Sequence, residues 1–254
     1  MMFALERQKK ILELLEQDGA VFVTKLSTEL GVTEETVRRD LEKLEKQEAL
    51  VRTHGGAMPI VESNRELSLE KRKNINVDAK IRLAKEAVNH IVSGDTVFLD
   101  ASTTTFYIAR ELKNFKNVTI VTNSLRVITE LAGQPNLNVI AIGGYASDNQ
   151  SLVGSIAQRD IANNYFANKM FFSSRGMTES VGILESNEQE CGIKQAMMKN
   201  AEKKYYVCDH SKIGRVGFAK LAQFTDVDYV ITEGPLGESF KKIFEDIGTK
   251  LVEI

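Results

Sequence analysis

The residues best suited to bind a ligand stand directly after short apolar runs in the last two thirds of the sequence. Asp100 to Thr105 reads DASTTT, in which a carboxylate is followed by a small residue and four consecutive hydroxyls. Hydroxyls and free amides at a helix start donate hydrogen bonds to an anion, and an aspartate accepts them from hydroxyl groups of a ligand. Four more apolar runs end in the same way, at Thr122-Asn123-Ser124, Gly143-Gly144-Tyr145, Ser173-Ser174-Arg175-Gly176-Met177 and Asp209-His210-Ser211-Lys212.

Polar residues in these positions matter because parallel sheets bind ligands beyond the carboxyl ends of their strands. If the apolar runs are strands of one sheet, all of their polar endings meet at one edge. The sequence therefore predicts a pocket there for a polar, anionic ligand. Taken singly, a threonine cluster also fits a helix cap, and Gly143-Gly144 also fits a simple turn.

A second group of candidate residues lies near the N-terminus, where Val32 to Ala57 reads VTEETVRRDLEKLEKQEALVRTHGGA. Arginine binds guanine edges or phosphates, and threonine hydroxyls bind phosphate or contact the thymine methyl group, so the pattern favours DNA. The candidate contacts are Thr33, Glu35, Thr36, Arg38 and Arg39, followed by Arg52, His54 and Gly55 in a basic tail. Residues 1–58 hold nine Lys/Arg and eleven Asp/Glu, so on charge alone the arginines also fit a solvated helix face.

Hydrophobic periodicity indicates the helices that would position this group. It predicts a helix over Glu6–Gln17, a second that Thr24 caps and Gly31 closes, and a third that starts after Thr33 and runs to about Glu48. Two helices joined by such a short turn form a helix-turn-helix.

The third helix has a distinct inner face. Val37, Leu41 and Leu44 recur at i, i+4 and i+7 and are expected to face the core, which leaves Glu35 and Arg39 on the outside. The N-terminal part of this helix would meet base edges in the major groove. The tail from 50 to 56 reads as a short strand and a tight turn, as in a wing beside that helix.

Beyond about residue 77 apolar strand patterns alternate with helix patterns. Strands are predicted at Thr96–Leu99, Val118–Val121, Leu137–Ile142, Lys169–Ser173, Tyr205–Cys208, Tyr229–Thr232 and Leu251–Glu253. Helices are predicted at 77–91, 105–112, 125–131, 156–165, 189–201 and 239–247. This alternation indicates an α/β domain with a mainly parallel sheet covered by helices on both faces. The predicted domains are 1–58 and 77–254, joined by a linker over 59–76 that becomes a helix near Ser68.

Composition limits the class of protein. Of 254 residues, 43% are hydrophobic and 27% charged, which is typical of a globular chain, and the longest apolar runs are too short to cross a membrane. Cys191 and Cys208 lack metal-ligand spacing, so we expect buried, reduced thiols in a cytoplasmic protein and no metal site. The isoelectric point of about 6.0 requires any DNA-binding surface to be local.

The N-terminal motifs carry a family resemblance. The runs TVRRDL (Thr36–Leu41) and LVRTHGGA (Leu50–Ala57), with Arg7, Leu26, Leu30, Val32 and Leu44, closely resemble the signature of the DeoR family of bacterial transcription regulators. The resemblance implies a winged helix-turn-helix domain that binds double-stranded operator DNA.

The C-terminal half is similar to the same family. The matching residues are Lys80, the loop Asp100–Thr104, Thr122-Asn123-Ser124, Gly143-Gly144, Gly154, Glu190 with Lys194, and Asp209 with Ser211-Lys212. The resemblance implies a domain similar to ribose-5-phosphate isomerase and the coenzyme A transferases that surrounds a phosphorylated sugar. Ser102 is a departure, since many members have glycine there; serine restricts the backbone and adds a hydroxyl donor.

The resulting prediction is a repressor of a sugar-catabolic or sugar-uptake operon, released from DNA by a phosphosugar effector and working without a cofactor. The predicted effector-binding residues are Lys80, Asp100, Ser102, Thr103, Thr104, Thr122, Asn123, Gly143, Gly144, Arg175, Glu190, Lys194, Asp209 and Lys212. We expect a homo-oligomer, a dimer or larger, joined mainly through 77–254, because one helix-turn-helix reads only a short half-site.

Two alternatives remain at this point. Within the same class, the protein is an activator or a regulator without a ligand. In another class, it is a sugar-phosphate isomerase-like enzyme fused to an interaction module, with Asp100, Glu190 or Asp209 as the base. Glu190 and Lys194 lie four residues apart and also fit a simple helical ion pair. A wing sequence has no use in the enzyme, which argues against it.

Overall fold

The computed structural model describes residues 4–18, 21–47, 49–53, 55–58 and 68–254. The chain divides into two compact units, Met1–Ser63 and Asn64–Ile254. His54, a predicted DNA contact, and residues 59–67 of the predicted linker lie outside the described residues.

In its described residues the first unit has three helices and a small antiparallel sheet. Its elements are α1 (Ala4–Asp18), β1 (Val21–Phe22), α2 (Val23–Leu30), α3 (Glu34–Lys46), β2 (Val51–Thr53) and β3 (Gly56–Met58). The strands lie in the order β1-β3-β2, so the β2–β3 hairpin is the predicted wing. The helical stripes of all three helices meet in one core that includes Ile11, Leu26, Val37, Leu41 and Leu44.

The turn between α2 and α3 forms as the sequence predicts. Gly31 has φ +64°, a left-handed conformation that favours glycine, and its amide closes α2 on the carbonyl of Ser27. Thr33 caps α3 by accepting a hydrogen bond from the Thr36 amide. The predicted Thr24 cap is wrong, because α2 already begins at Val23, directly after strand β1.

The second unit begins with α4 (Leu69–Arg72) and continues as an α/β domain. Its other helices are α5 (Val77–Val88), α6 (Thr103–Leu112), α7 (Leu125–Leu131), α8 (Ser155–Asn164), α9 (Glu188–Lys199) and α10 (Glu238–Ile247). Its strands are β4 (Thr96–Leu99), β5 (Val118–Thr122), β6 (Leu137–Ala141), β7 (Tyr145–Ala146), β8 (Leu152–Val153), β9 (Ala167–Phe172), β10 (Gly176–Thr178), β11 (Gly182–Glu185), β12 (Ala201–Cys208), β13 (Ala219–Ala222), β14 (Tyr229–Thr232) and β15 (Lys250–Glu253).

Seven of these strands form one parallel sheet in the order β15-β14-β12-β9-β4-β5-β6. Alternate residues of β4 point to opposite faces: Val97 and Leu99 join a core with α5, α6 and α7, whereas Phe98 joins a core with α8, α9 and α10. The predicted α/β fold with helices on both faces is therefore confirmed.

Three features differ from the sequence prediction. Strands β10, β11 and β13 form a second, antiparallel sheet beside the carboxyl end of β9, and β7 pairs with β8 in a short hairpin. The described part of the predicted linker, 68–76, contains α4, where the sequence predicts a helix near Ser68, but it packs within the second unit. As the sequence predicts, Cys191 and Cys208 are buried free thiols, and burial raises the pKa of Cys208 to about 12.

Candidate functional site

The outer face of α3 presents most of the predicted DNA contacts. Thr33, Glu35, Arg38 and Arg39 are exposed and Thr36 is half-buried. The Thr33 and Thr36 hydroxyls lie 2.9 Å apart at the positive end of the helix, where an anion is favoured. The two hydroxyls and the arginines thus share a solvent-accessible face at the start of the second helix of a helix-turn-helix.

Both arginines are held by neighbours one turn earlier. Arg38 Nη2 donates to Glu34 Oε2 at 2.8 Å, and Arg39 Nε donates to Glu35 Oε1 at 3.3 Å. Exposed pairs of this kind contribute at most about 1 kcal/mol, so a phosphate or a guanine edge competes with them readily.

The wing keeps its basic residue in solvent. Arg52 is exposed while its amide donates to Glu45 Oε1 at 3.0 Å, and Gly55 is exposed at the turn. Gly56 is fixed for a different reason, because a Cβ there would lie 1.9 Å from the carbonyl oxygen of Val21. The second glycine of the tail therefore serves the sheet of the unit rather than a contact with DNA.

A pocket opens at the carboxyl edge of the parallel sheet in the second unit. Its lining consists of Arg72, Ala101, Ser102, Asn149, Ser174, Arg175, Glu185, Glu190, Lys194 and Lys212. Four of these side chains are cationic and two are carboxylates. Five predicted effector residues are among them: Ser102, Arg175, Glu190, Lys194 and Lys212.

The floor of the pocket is a buried ionic network around Lys194. Its Nζ lies 3.1 Å from Asp100 Oδ2, donates to the carbonyl of Ser173 at 2.8 Å and pairs with Glu185. Burial opposes the charge of Lys194, but the three carboxylates of Glu185, Asp100 and Glu190 outweigh it and raise its pKa. Lys194 therefore does not form the simple helical pair with Glu190 that their spacing also fits, and instead joins α9 to the ends of β4, β9 and β11.

Both carboxylate oxygens of Asp100 accept hydrogen bonds within this network. Its Oδ1 accepts from the Ser102 amide and the Thr105 hydroxyl, at 3.1 and 2.7 Å, and its Oδ2 accepts from the Ser173 amide at 3.1 Å. Asp100 is completely buried, so its carboxylate organises the loop instead of facing the pocket.

Ser102 and the following helix supply the neutral part of the wall. Ser102 caps α6 by accepting from the Thr105 amide, with φ −72°, so serine fits the loop without strain. Its hydroxyl also lies 2.9 Å from Thr105 Oγ1, which makes it part of the cap. The positive end of α6 therefore borders the pocket and favours an anion in it.

A second cationic group lies behind the pocket. Lys80 Nζ donates to the carbonyls of Arg72 and Ile75, at 2.7 and 2.6 Å, and burial lowers its pKa to about 8. Burial opposes the charge of Asp209 as well, but hydrogen bonds from Ser211 and Asn76 and the charge of Lys212 outweigh it and lower its pKa.

Lys212 is a desolvated cation with like charges near it. Burial lowers its pKa, the charge of Asp209 opposes that effect, and Arg72 and Arg215 add repulsion. Glu190 on the opposite side has a raised pKa because it is buried, and it accepts a hydrogen bond from Ser151. The excess of positive charge in a poorly solvated site suits an anion.

The remaining predicted effector residues do not line this pocket. The Thr122 hydroxyl donates to the Leu99 carbonyl at 2.7 Å and accepts from the Ser124 amide at 3.1 Å, so it fixes the loop after β5. Asn123 Nδ2 donates to the Leu152 carbonyl. Thr103 and Thr104 are buried in the first turn of α6, and Gly143 and Gly144 are exposed beyond the edge strand β6.

The structure adds three polar lining residues that the sequence analysis did not name, Arg72, Asn149 and Glu185. It also adds Ser174, which the sequence analysis named as part of a polar strand end but not as an effector-binding residue. Glu185 ends a strand of the antiparallel sheet, which was not predicted, and Arg72 lies in the predicted linker. The polar residues at strand ends could indicate site residues only for strands of the parallel sheet.

Among the described residues, no group of three or more His, Cys, Asp or Glu side chains is placed to hold a metal ion. None of the described helices is long and apolar enough to cross a membrane.

Comparison with known proteins gives the same two-part organisation. Residues 7–62 match the family model described as a DeoR-like helix-turn-helix domain, and residues 75–234 match the DeoR C terminal sensor domain. The chain is 37% identical over its whole length to a Bacillus subtilis protein named uncharacterized HTH-type transcriptional regulator YulB, 98% of which is covered.

Two named relatives differ in the sign of regulation. The Escherichia coli glycerol-3-phosphate regulon repressor is 30% identical over 95% of each chain. The Haemophilus influenzae L-fucose operon activator is 31% identical, over 96% of this chain and 99% of that one. Among solved structures, ribose 5-phosphate isomerase A from Methanocaldococcus jannaschii aligns with a TM-score of 0.41 at 17% identity, over 54% of this chain and 55% of that one.

Proposed function

Because the chain belongs to the DeoR family of helix-turn-helix transcriptional regulators, we propose that it represses a sugar-catabolic or sugar-uptake operon and leaves its operator when a phosphorylated sugar binds the second unit. The observation that carries the proposal is the pocket at the carboxyl edge of the sheet, in which cationic side chains outnumber carboxylates. A regulator with such a pocket senses a small anion.

Operator binding is assigned to α3 and the wing. Arg38 and Arg39 on α3 and Arg52 on β2 are exposed, and their present partners are glutamates that phosphate replaces at little cost. Thr33 and Thr36 at the start of α3 take the positions from which a helix-turn-helix reads base edges. His54 and Gly55 complete the proposed contact surface.

The class of effector follows from the two kinds of lining. Lys212, Arg72 and the positive end of α6 suit a phosphate, since charge-assisted hydrogen bonds are roughly twice as strong as neutral ones. Asn149, Ser174 and Glu190 offer donors and acceptors for hydroxyl groups. A phosphorylated sugar or polyol combines these two features, and no cofactor is needed.

Repression is favoured over activation by the glycerol-3-phosphate regulon repressor, whose name joins repression to a phosphorylated polyol. The fucose operon activator keeps activation as the second candidate. We propose no enzymatic role, because Asp100 is fully hydrogen-bonded and Glu190 is held by Ser151. The protein is proposed to act in the cytoplasm, where its DNA is, as a dimer or larger homo-oligomer that spans two half-sites.

The test starts from an operator selected out of random DNA duplexes. Its affinity is measured with and without glycerol 3-phosphate, glucose 6-phosphate, fructose 1-phosphate and ribose 5-phosphate, and with each parent compound lacking phosphate. At least one phosphate ester is expected to release the DNA, and its parent compound is expected to have no effect at the same concentration. Lys212→Ala should bind the operator normally and resist release, whereas Lys242→Ala, an exposed lysine on α10, should behave like the wild type. Release by the parent compound, or normal release of Lys212→Ala, contradicts the proposal.

A further inference from the structure

Arg72, in the segment 68–76 that the sequence pattern assigns to the linker, contributes its side chain to the wall of the anion pocket. Arg72 is the last residue of α4, and its Nη2 donates to Asn149 Oδ1 at 2.6 Å across 77 residues of sequence. Both side chains line the pocket. The hydrogen bond between Arg72 and Asn149 therefore closes one side of the pocket.

The same segment is held from behind by two buried groups. Lys80 Nζ caps its carbonyls at Arg72 and Ile75, and Asp209 Oδ1 accepts from Asn76 Nδ2 at 2.9 Å. Asn76 has φ +52°, so the chain turns into α5 through a left-handed residue. Lys80 and Asp209 are almost completely buried, and Lys80 holds the wall by its main chain while leaving the side chain of Arg72 toward the pocket.

The side chains whose charges act on Arg72 include three other cations. Its guanidinium is close enough to repel Lys80, Lys212 and Arg126. Arg126 is itself poorly solvated, and its Nη1 is buried without a hydrogen-bond partner. An anion placed between Arg72 and Lys212 removes part of this repulsion and favours one position of α4 over others.

From these contacts we propose that Arg72 is an effector ligand and the residue through which pocket occupancy reaches the linker. The inference rests on the proposed function, since it assigns a wall and a route of transmission to the same pocket. The anion draws Arg72 toward Lys212, and α4 moves with it because Arg72 ends that helix. Ser68, the first described residue of the predicted linker, directly precedes α4, so a shift of α4 passes to the linker at this residue.

The experiment uses the full-length chain and inorganic phosphate, the group common to all candidate effectors. Calorimetry measures phosphate affinity at several sodium chloride concentrations, and hydrogen exchange measures protection of the amides of 69–76. In the wild type, phosphate should slow exchange in this segment. Arg72→Ala should bind phosphate about tenfold or more weakly, with a flatter salt dependence and no protection of 69–76.

Two variants separate a ligand from a structural role. Arg72→Lys keeps the charge and should restore most of the phosphate affinity, although it cannot reproduce the fork-shaped guanidinium. Lys73→Ala removes the neighbouring cation, which pairs with Glu70, and should leave affinity, salt dependence and exchange unchanged.

The outcomes distinguish this inference from the proposed function. If Lys212→Ala loses phosphate binding while Arg72→Ala binds like the wild type, the pocket stands and the role of Arg72 is refuted. If Arg72→Ala loses binding but 69–76 shows no protection in the wild type, the route through α4 is refuted. If the wild type binds neither phosphate nor any phosphate ester of the panel, the proposed function fails and this inference fails with it.

Discussion

Arg7 Nε and Asp40 Oδ2 form a buried ion pair at 2.5 Å that joins α1 to α3. Gln8 Nε2 donates to the other carboxylate oxygen at 3.0 Å. Asp40 directly follows the two exposed arginines of the TVRRDL run, so three consecutive charged residues divide their roles. Arg38 and Arg39 face solvent, whereas Asp40 fixes the helix that carries them.

This division predicts unequal effects on stability. Asp40→Ala leaves the charge of Arg7 buried without its carboxylate and should destabilise the first unit by about 3–5 kcal/mol. Glu34→Ala removes the exposed partner of Arg38 and should cost less than about 1 kcal/mol. Urea unfolding followed by circular dichroism measures both. Equal, small effects would show that the Arg7–Asp40 pair does not hold α1 on α3.

The exposed arginines should affect DNA binding without affecting folding. We expect Arg38→Ala and Arg39→Ala to weaken binding to the selected operator by roughly 1–3 kcal/mol where a bidentate base contact is lost. Where a phosphate contact is lost, binding should weaken on all sequences and the salt slope should fall by about one. Lys46→Ala, at the other end of α3 and paired with Glu42, is the matched control. If both arginine variants bind the operator with wild-type affinity, α3 is not the recognition helix.

The buried network of the pocket gives a third prediction. Lys194→Met leaves Asp100 and Glu185 without their shared cation and should destabilise the second unit by about 3–5 kcal/mol. The Lys194→Met substitution should therefore lower the midpoint temperature of unfolding even when no effector is present. Lys199→Ala, an exposed residue of the same helix, should change it little. A folded Lys194→Met protein of normal stability that merely fails to bind phosphate esters would instead make Lys194 a ligand.

Sequence reasoning was most successful where local chemistry decides the structure. Thr33, Gly31 and the i, i+4, i+7 stripe of α3 act within a few residues of one another, so their roles follow from spacing. The parallel strands follow from continuous apolar runs, and helix α7 and strand β14 have the predicted bounds.

The misses share a physical reason, which is that they depend on contacts between distant segments. Arg72 reaches the pocket only because Asn149, Lys80 and Asp209 hold a four-residue helix, and nothing in the local sequence around Arg72 indicates them. Asp100 was predicted to accept sugar hydroxyls from its place after β4. One donor to its carboxylate is the amide of Ser173, 73 residues away, and this long-range hydrogen bond occupies a carboxylate oxygen that a sugar hydroxyl would need.

The last prediction concerns the dependence of effector affinity on pH. Burial lowers the pKa of Lys80 to about 8, against the charge of Asp209, and the cations Lys212, Arg72 and Arg126 add to the lowering. Without an anion, the folded protein therefore loses this proton around pH 8, and the unfolded chain loses it only around the ordinary lysine value of about 10.4, which leaves a window between the two values. In that window the unfolded chain holds more protons than the folded one, so the contribution of Lys80 to stability rises with pH and is absent below about pH 8.

A bound anion has the opposite preference, because it stabilises the protonated lysine and raises its pKa. The affinity for a phosphate ester should be constant from pH 7 to about 8 and then fall by at most tenfold per pH unit, since the phosphate group itself titrates near pH 6. Lys80→Arg keeps a positive charge throughout this range and should flatten the profile, leaving only the share of Lys212, whose pKa burial also lowers. Calorimetry between pH 7 and 9.5, in buffers of different ionisation enthalpy, measures both the affinity and the proton taken up. An affinity that does not change with pH in the wild type, or an identical slope in Lys80→Arg, would show that protonation of Lys80 is not linked to effector binding.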